Sequence, residues 1–128
     1  MSDIQIISTP EAPTPTGPFS QAVVAKGLVF TAGQAGRNRD TGVMGDLAEQ
    51  TRWSLRNIAA ILAASGSSLD RVVKTTVYLK EGCDTAAVNG EYLERFGDRL
   101  PARSLVLVSR LKGPEMLIEI EAVAVTDA

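Results

Sequence analysis

Histidine is absent from this 128-residue chain, and cysteine occurs once, as Cys83. The commonest general base and the commonest zinc ligand are therefore both missing. Acid–base chemistry must fall to carboxylates, lysine, tyrosine or water, and with a single thiol a zinc site is not expected. One cysteine also forbids an intrachain disulfide, which fits a reducing, cytoplasmic setting. Neither sign of charge dominates: 13 Lys and Arg against 15 Asp and Glu leave a formal charge of -2. That balance attracts neither nucleic acid nor an anionic membrane. No apolar run approaches the ~20 residues of a membrane span. The opening Met1-Ser2-Asp3-Ile4-Gln5 lacks the basic-then-apolar pattern of a signal peptide.

What remains is an ordinary globular composition, 45% apolar and 22% charged, expected to form one domain over residues 1–128. Four of the six prolines (Pro10, Pro13, Pro15, Pro18) fall in residues 9–18, which excludes a helix there. Ile4-Gln5-Ile6-Ile7 before them reads as a short strand. Residues 21–26 and 28–32 read as two strands joined around Lys26-Gly27, followed by a loop marked by Gly33, Gly36, Gly42 and Gly45. A helix begins at Asp46, with Glu49 in the capping-box position. Its apolar stripe is Leu47, Thr51, Leu55, Ile58 and Leu62, and Gly66 is its left-handed stop. Val72 to Leu79 is rich in branched and aromatic residues, hence a strand. A second helix runs from Asp84 to Phe96 with Val88, Tyr92 and Phe96 on one side and Gly97 as its stop. Gly90 inside it costs about 1 kcal/mol relative to alanine, which packing is expected to offset. Strands at 103–108 and 117–125 close the chain. The order predicts an α+β two-layer domain with both helices packed on one face of a sheet. In 103–108 both alternating sets of side chains are apolar, so the uncovered face is expected to meet another subunit.

Arg103 stands out against this background. It lies in Pro101-Ala102-Arg103-Ser104, at the mouth of the apolar run Leu105-Val106-Leu107-Val108. A charge beside a buried strand needs a partner, and the guanidinium fork is the side chain best shaped to grip a carboxylate. Glu119 and Glu121 share one face of the last strand with Leu117, Val123 and Val125. If the two final strands paired as a hairpin, a glutamate would approach Arg103. A structural ion pair and a receptor for a small anion are both open on these residues.

Gly17-Pro18-Phe19-Ser20-Gln21-Ala22, Thr31-Ala32-Gly33-Gln34, Gln50-Thr51, Val72-Val73-Lys74, Val88-Asn89, Pro101-Ala102-Arg103-Ser104 and Glu119-Ile120-Glu121 occur in an order that resembles the Rid family. These are the reactive-intermediate deaminases, also called the YjgF family, and the likeness covers nearly the whole chain. The resemblance implies a chorismate mutase-like fold, a mixed β-sheet with two helices on one face, assembled as a homotrimer with sites in clefts between subunits. It also implies hydrolysis of enamines and imines to 2-keto acids and ammonia, with no cofactor. By the same likeness Arg103 grips the substrate carboxylate and Glu119 positions the attacking water. Asn89, Phe19, Ala32, Gly33 and Leu105 would line the substrate site.

Three positions depart from the deaminase pattern: Phe19, Ala32 and Leu105 stand where tyrosine, serine and cysteine are usual. The hydroxyls and thiol they lack leave a greasier pocket, expected to prefer bulkier or more apolar substrates or to work more slowly. A rival reading is a non-catalytic protein that binds or senses a small carboxylate such as a 2-keto acid. A ribonuclease, an activity attached to some relatives, is disfavoured by the acidic balance and missing histidine. Cys83 has no histidine to activate it and reads as a bystander thiol. Trp53 lies off the helix stripe, and Gly33-Gln34-Ala35-Gly36 lacks the context of a nucleotide loop. The scattered basic residues read as solvated faces.

Overall fold

A computed structural model describes residues 3–126. Its strands are β1 (Ile4–Ile7), β2 (Ala22–Ala25), β3 (Leu28–Thr31), β4 (Gln34–Ala35), β5 (Val72–Lys80), β6 (Ala102–Val108) and β7 (Ile118–Val125). The helices are α1 (Leu47–Ala64) and α2 (Thr85–Phe96), with a short 3-10 turn at Leu69–Arg71. The sheet runs β1-β2-β3-β7-β5-β6, with β4 also paired to β7. All pairs are antiparallel except β5 with β6, so the sheet is mixed and the fold is α+β.

Both helices begin and end where local chemistry directs. Asp46 Oδ1 accepts from the Glu49 amide at 2.9 Å, and Asp84 Oδ1 from the Ala86 amide at 2.9 Å, satisfying donors that a first turn leaves free. Gly66 and Gly97 end the helices at φ +75° and +60°, a region costly for side chains with a Cβ. The buried stripe of α1 (Thr51, Leu55, Ile58, Leu62) and Val88, Tyr92 and Phe96 of α2 pack on one sheet face. That face presents Val29, Thr75, Val77, Leu79, Ile118, Ile120, Ala122 and Ala124, all buried.

Among the described residues the other face carries no helix. Strand registers place Ile6, Phe30 and Val106 on it, and these are 69%, 46% and 44% exposed. Apolar side chains are thus left open on this face. One expectation is corrected. The last strands do not form a hairpin: β7 is threaded between β3 and β5, and β6 pairs with β5 at the sheet's edge. Gly90 faces open space, where a Cβ would meet nothing within 4 Å among the described residues, while Val88, Tyr92 and Phe96 of the same helix are buried. The loop predicted after residue 32 also holds β4, which at two residues is too short for strand alternation to mark.

Candidate functional site

The expected site residues fall into two groups, set apart by the sheet. In the first, Arg103 is the register partner of Thr75 across the parallel β5–β6 pair, which puts it on the helix-covered face at the exposed edge. Its guanidinium carbon lies 4.9 Å from the Tyr92 ring centroid, and its Nη1 donates to Asn89 Oδ1 at 2.9 Å. Tyr92 is buried, its hydroxyl hydrogen-bonded to that of Thr75, so the ring is a fixed platform under the cation. Burial pushes the Tyr92 phenol up, opposed by the Thr75 bond and the Arg103 charge. Leu105 follows on the same face, half-buried against the core. Arg103 and Asn89 are exposed, and among the described residues no carboxylate pairs with Arg103.

The second group surrounds Glu119. β7 pairs Glu119 with Ala35 on one side and Tyr78 on the other, which places it on the uncovered face. It lines a cleft of about 630 Å³ with Phe19, Ala32 and Gly33. Gly33 backs directly on the carboxylate: a Cβ there would collide with Glu119 Oε2. Burial, and then the neighbouring Glu121 charge, push the Glu119 carboxyl above its usual range. Glu121 itself accepts from the Tyr78 hydroxyl at 3.1 Å.

Buried amides fix the walls of this cleft. Gln21 Oε1 accepts from the Thr9 amide at 2.6 Å, while its Nε2 donates to the carbonyls of Thr9 at 3.1 Å and Pro13 at 3.0 Å. The proline-rich segment, poor in amides of its own, is thereby pinned as one wall. On α1, Gln50 Nε2 donates to Gly45 and Glu115 carbonyls, both at 2.9 Å, and Oε1 accepts from the Leu117 amide at 2.8 Å. Ser54 Oγ donates to the Gln34 carbonyl at 2.7 Å. The strand starts that carry Glu119 and Gly33 are thus tied to one helix.

The structure therefore joins Arg103, Asn89 and Leu105, and separately joins Glu119, Phe19, Ala32 and Gly33. It does not bring the two groups together within one chain. The suggested intrachain Arg103–glutamate pair is corrected on the same ground, because β5 intervenes and the side chains take opposite faces. Arg37 and Lys112 also line the Glu119 cleft, although the sequence reading left them on solvated surfaces. They reach it from separate loops, and no motif or spacing connects them. Cys83 is free and half-buried against the core, and Trp53 is half-buried under Arg56, whose guanidinium carbon lies 5.0 Å from its ring.

The sequence profile of the family described as Endoribonuclease L-PSP matches residues 9–126. A RutC family protein of Pyrococcus horikoshii is 51% identical over 122 residues, covering 94% of this chain and 96% of the relative. A human protein named 2-iminobutanoate/2-iminopropanoate deaminase is 41% identical over 124 residues, covering 94% and 89%. Among solved structures, E. coli TdcF with bound serine superposes with a TM-score of 0.89 at 38% identity, covering 96% of this chain and 99% of that one.

Proposed function

The chain belongs to the Rid (RutC, YjgF) family, and on that premise we propose that it is a cofactor-independent deaminase, hydrolysing 2-imino and enamine acids to 2-keto acids and ammonia. The human relative's name supports a deaminase role, and serine bound to TdcF supports a small amino- or keto-acid ligand. The observation that carries the reading is the division of the site. Arg103 is an exposed cation with no carboxylate partner among the described residues on one face, and Glu119 is a half-buried carboxylate in a cleft on the other. Neither half suffices alone, so the site forms where one copy's Arg103 edge meets another copy's Glu119 cleft, in a cytoplasmic homotrimer. The exposed Ile6, Phe30 and Val106 face supplies apolar surface for such contacts.

At that junction Arg103 grips the substrate carboxylate through its fork, held in place by Asn89 and the Tyr92 ring. The iminium carbon is already electrophilic, so the protein mainly orients it towards water. Glu119 takes a proton from that water as oxygen bonds to carbon, giving a carbinolamine. It returns that proton to nitrogen, and the carbon–nitrogen bond breaks with its electron pair leaving on ammonia. Glu119 takes the hydroxyl proton as the carbonyl forms and passes it to the departing ammonia, which leaves as ammonium. A carboxyl raised by burial is a stronger base than an ordinary glutamate, which suits the task in a chain lacking histidine. Phe19 and Gly33 shape the cleft beside it.

The test is an amino-acid oxidase assay in which semicarbazide traps the released imine. Wild-type protein should lower semicarbazone yield by diverting imine to keto acid, and Arg103→Ala and Glu119→Gln should not. If wild type binds 2-ketobutyrate yet leaves the yield unchanged, the non-catalytic binding reading replaces this one. Phe19, Ala32 and Leu105, which carry no hydroxyl or thiol, are the observation in its favour.

A further inference from the structure

The Glu119 cleft contains two cations that the chemistry above does not use. Arg37, beyond β4, and Lys112, before β7, both line it. The Arg37 guanidinium is lightly held: Nη1 donates to the Gly42 carbonyl at 3.0 Å, and Nη2 lies 4.0 Å from Glu115 Oε1. Those two side chains are 40% and 51% exposed, and an ion pair that long and that wet contributes little. Lys112 is exposed and has no hydrogen bond or ion pair among the described residues. The same lining includes the apolar side chains of Phe19, Ala32 and Met116.

Resting on the deaminase reading, we propose that this cleft selects 2-imino acids whose side chain ends in a second carboxylate, with Arg37 and Lys112 as the receptor for that distal group. The substrate's first carboxylate meets Arg103 of the adjoining copy. Its imine carbon faces Glu119, and its methylene stem lies along Phe19 and Met116. Ala32 leaves space for that stem where a larger residue would narrow the passage. The greasier pocket thus serves a longer substrate with an apolar middle and an anionic end. A short neutral imino acid leaves both cations without a partner.

The experiment compares 2-iminoadipate with 2-iminohexanoate, each generated in place by oxidation of the matching amino acid, across wild type, Arg37→Ala, Lys112→Ala and the double variant. Wild type should favour the dicarboxylate in kcat/KM by about tenfold or more, the discrimination expected of one charge-assisted hydrogen bond. The ratio should fall towards unity in the double variant, and Arg99→Ala, at a separate surface, should leave it unchanged. Equal rates in wild type, or a ratio that the double variant does not move, would overturn the proposal. If neither imine is hydrolysed, the deaminase reading fails, and calorimetry with 2-oxoadipate and 2-oxohexanoate decides the receptor separately. Preference for 2-oxoadipate that is lost in the double variant upholds it, and indifferent binding refutes it.

Discussion

Arg103 and Glu119 project from opposite faces of one sheet, with β5 lying between the strands that carry them. Arg103 shares the face of Thr75 and rests over Tyr92, whereas Glu119 shares the face of Tyr78 and lines the cleft. A reaction that needs both must draw them from two chains. A sheet edge that exposes Leu107 and Val106, at 58% and 44%, is suited to such an arrangement.

Arg103→Lys tests the fork. Lysine keeps the charge but loses the paired donors and the flat stacking on Tyr92. We expect kcat/KM to fall at least about tenfold, mainly through KM, with Arg103→Ala lower still. Because Arg103 is exposed, neither variant should lower stability by more than about 1 kcal/mol, as read by denaturant titration. A lysine variant with wild-type KM would remove the carboxylate anchor from the account.

Much of this frame was legible in the sequence, and the reasons can be traced to particular residues. Asp46, Gly66, Asp84 and Gly97 bounded the helices because caps and left-handed stops are local. Alternation assigned Glu119 and Glu121 to one face of β7 because a strand's period is local too. Strand partners are not local. Nothing in 102–108 says that it lies parallel to β5, or that β7 enters between β3 and β5, so the suggested hairpin failed. The same limit hid Arg37 and Lys112, which come from distant loops to one cleft. Gln50 belonged to a recognised motif, but its clamp on Gly45, Glu115 and Leu117 became visible only with the fold.

The Glu119 carboxyl sets a pH dependence whose sign follows from its raised value. In the proposed mechanism Glu119 works deprotonated, so kcat/KM should fall as pH drops through that raised value, above the ordinary carboxylate range. Glu121→Gln removes the second cause of the shift and should move the acid limb to lower pH. Stability runs the other way. A raised folded-state value favours folding below the unfolded value, and that contribution is lost as pH rises through the folded one. Glu119→Gln should therefore hold or raise Tm at neutral pH while abolishing turnover. An acid limb that Glu121→Gln leaves in place would assign it to another group.

Two glycines should separate activity from stability. At Gly33 an added Cβ meets the end of the Glu119 side chain, which can swing aside. At Gly36 it meets the Gln50 backbone, which cannot. Gly33→Ala should lose most turnover with little change in Tm, whereas Gly36→Ala should lose roughly 1–3 kcal/mol of stability or fail to fold. Equal melting losses in the two variants would contradict this division.

The most direct measurement mixes two dead proteins. Arg103→Ala and Glu119→Gln, inactive separately, are denatured together in equal amounts, refolded and assayed for imine hydrolysis. If each site takes Arg103 from one chain and Glu119 from the next, random assembly rebuilds roughly a quarter of the sites, and about a quarter of wild-type activity should return. A refolded mixture as inactive as its components, while refolded wild type recovers, would contradict a site shared between chains.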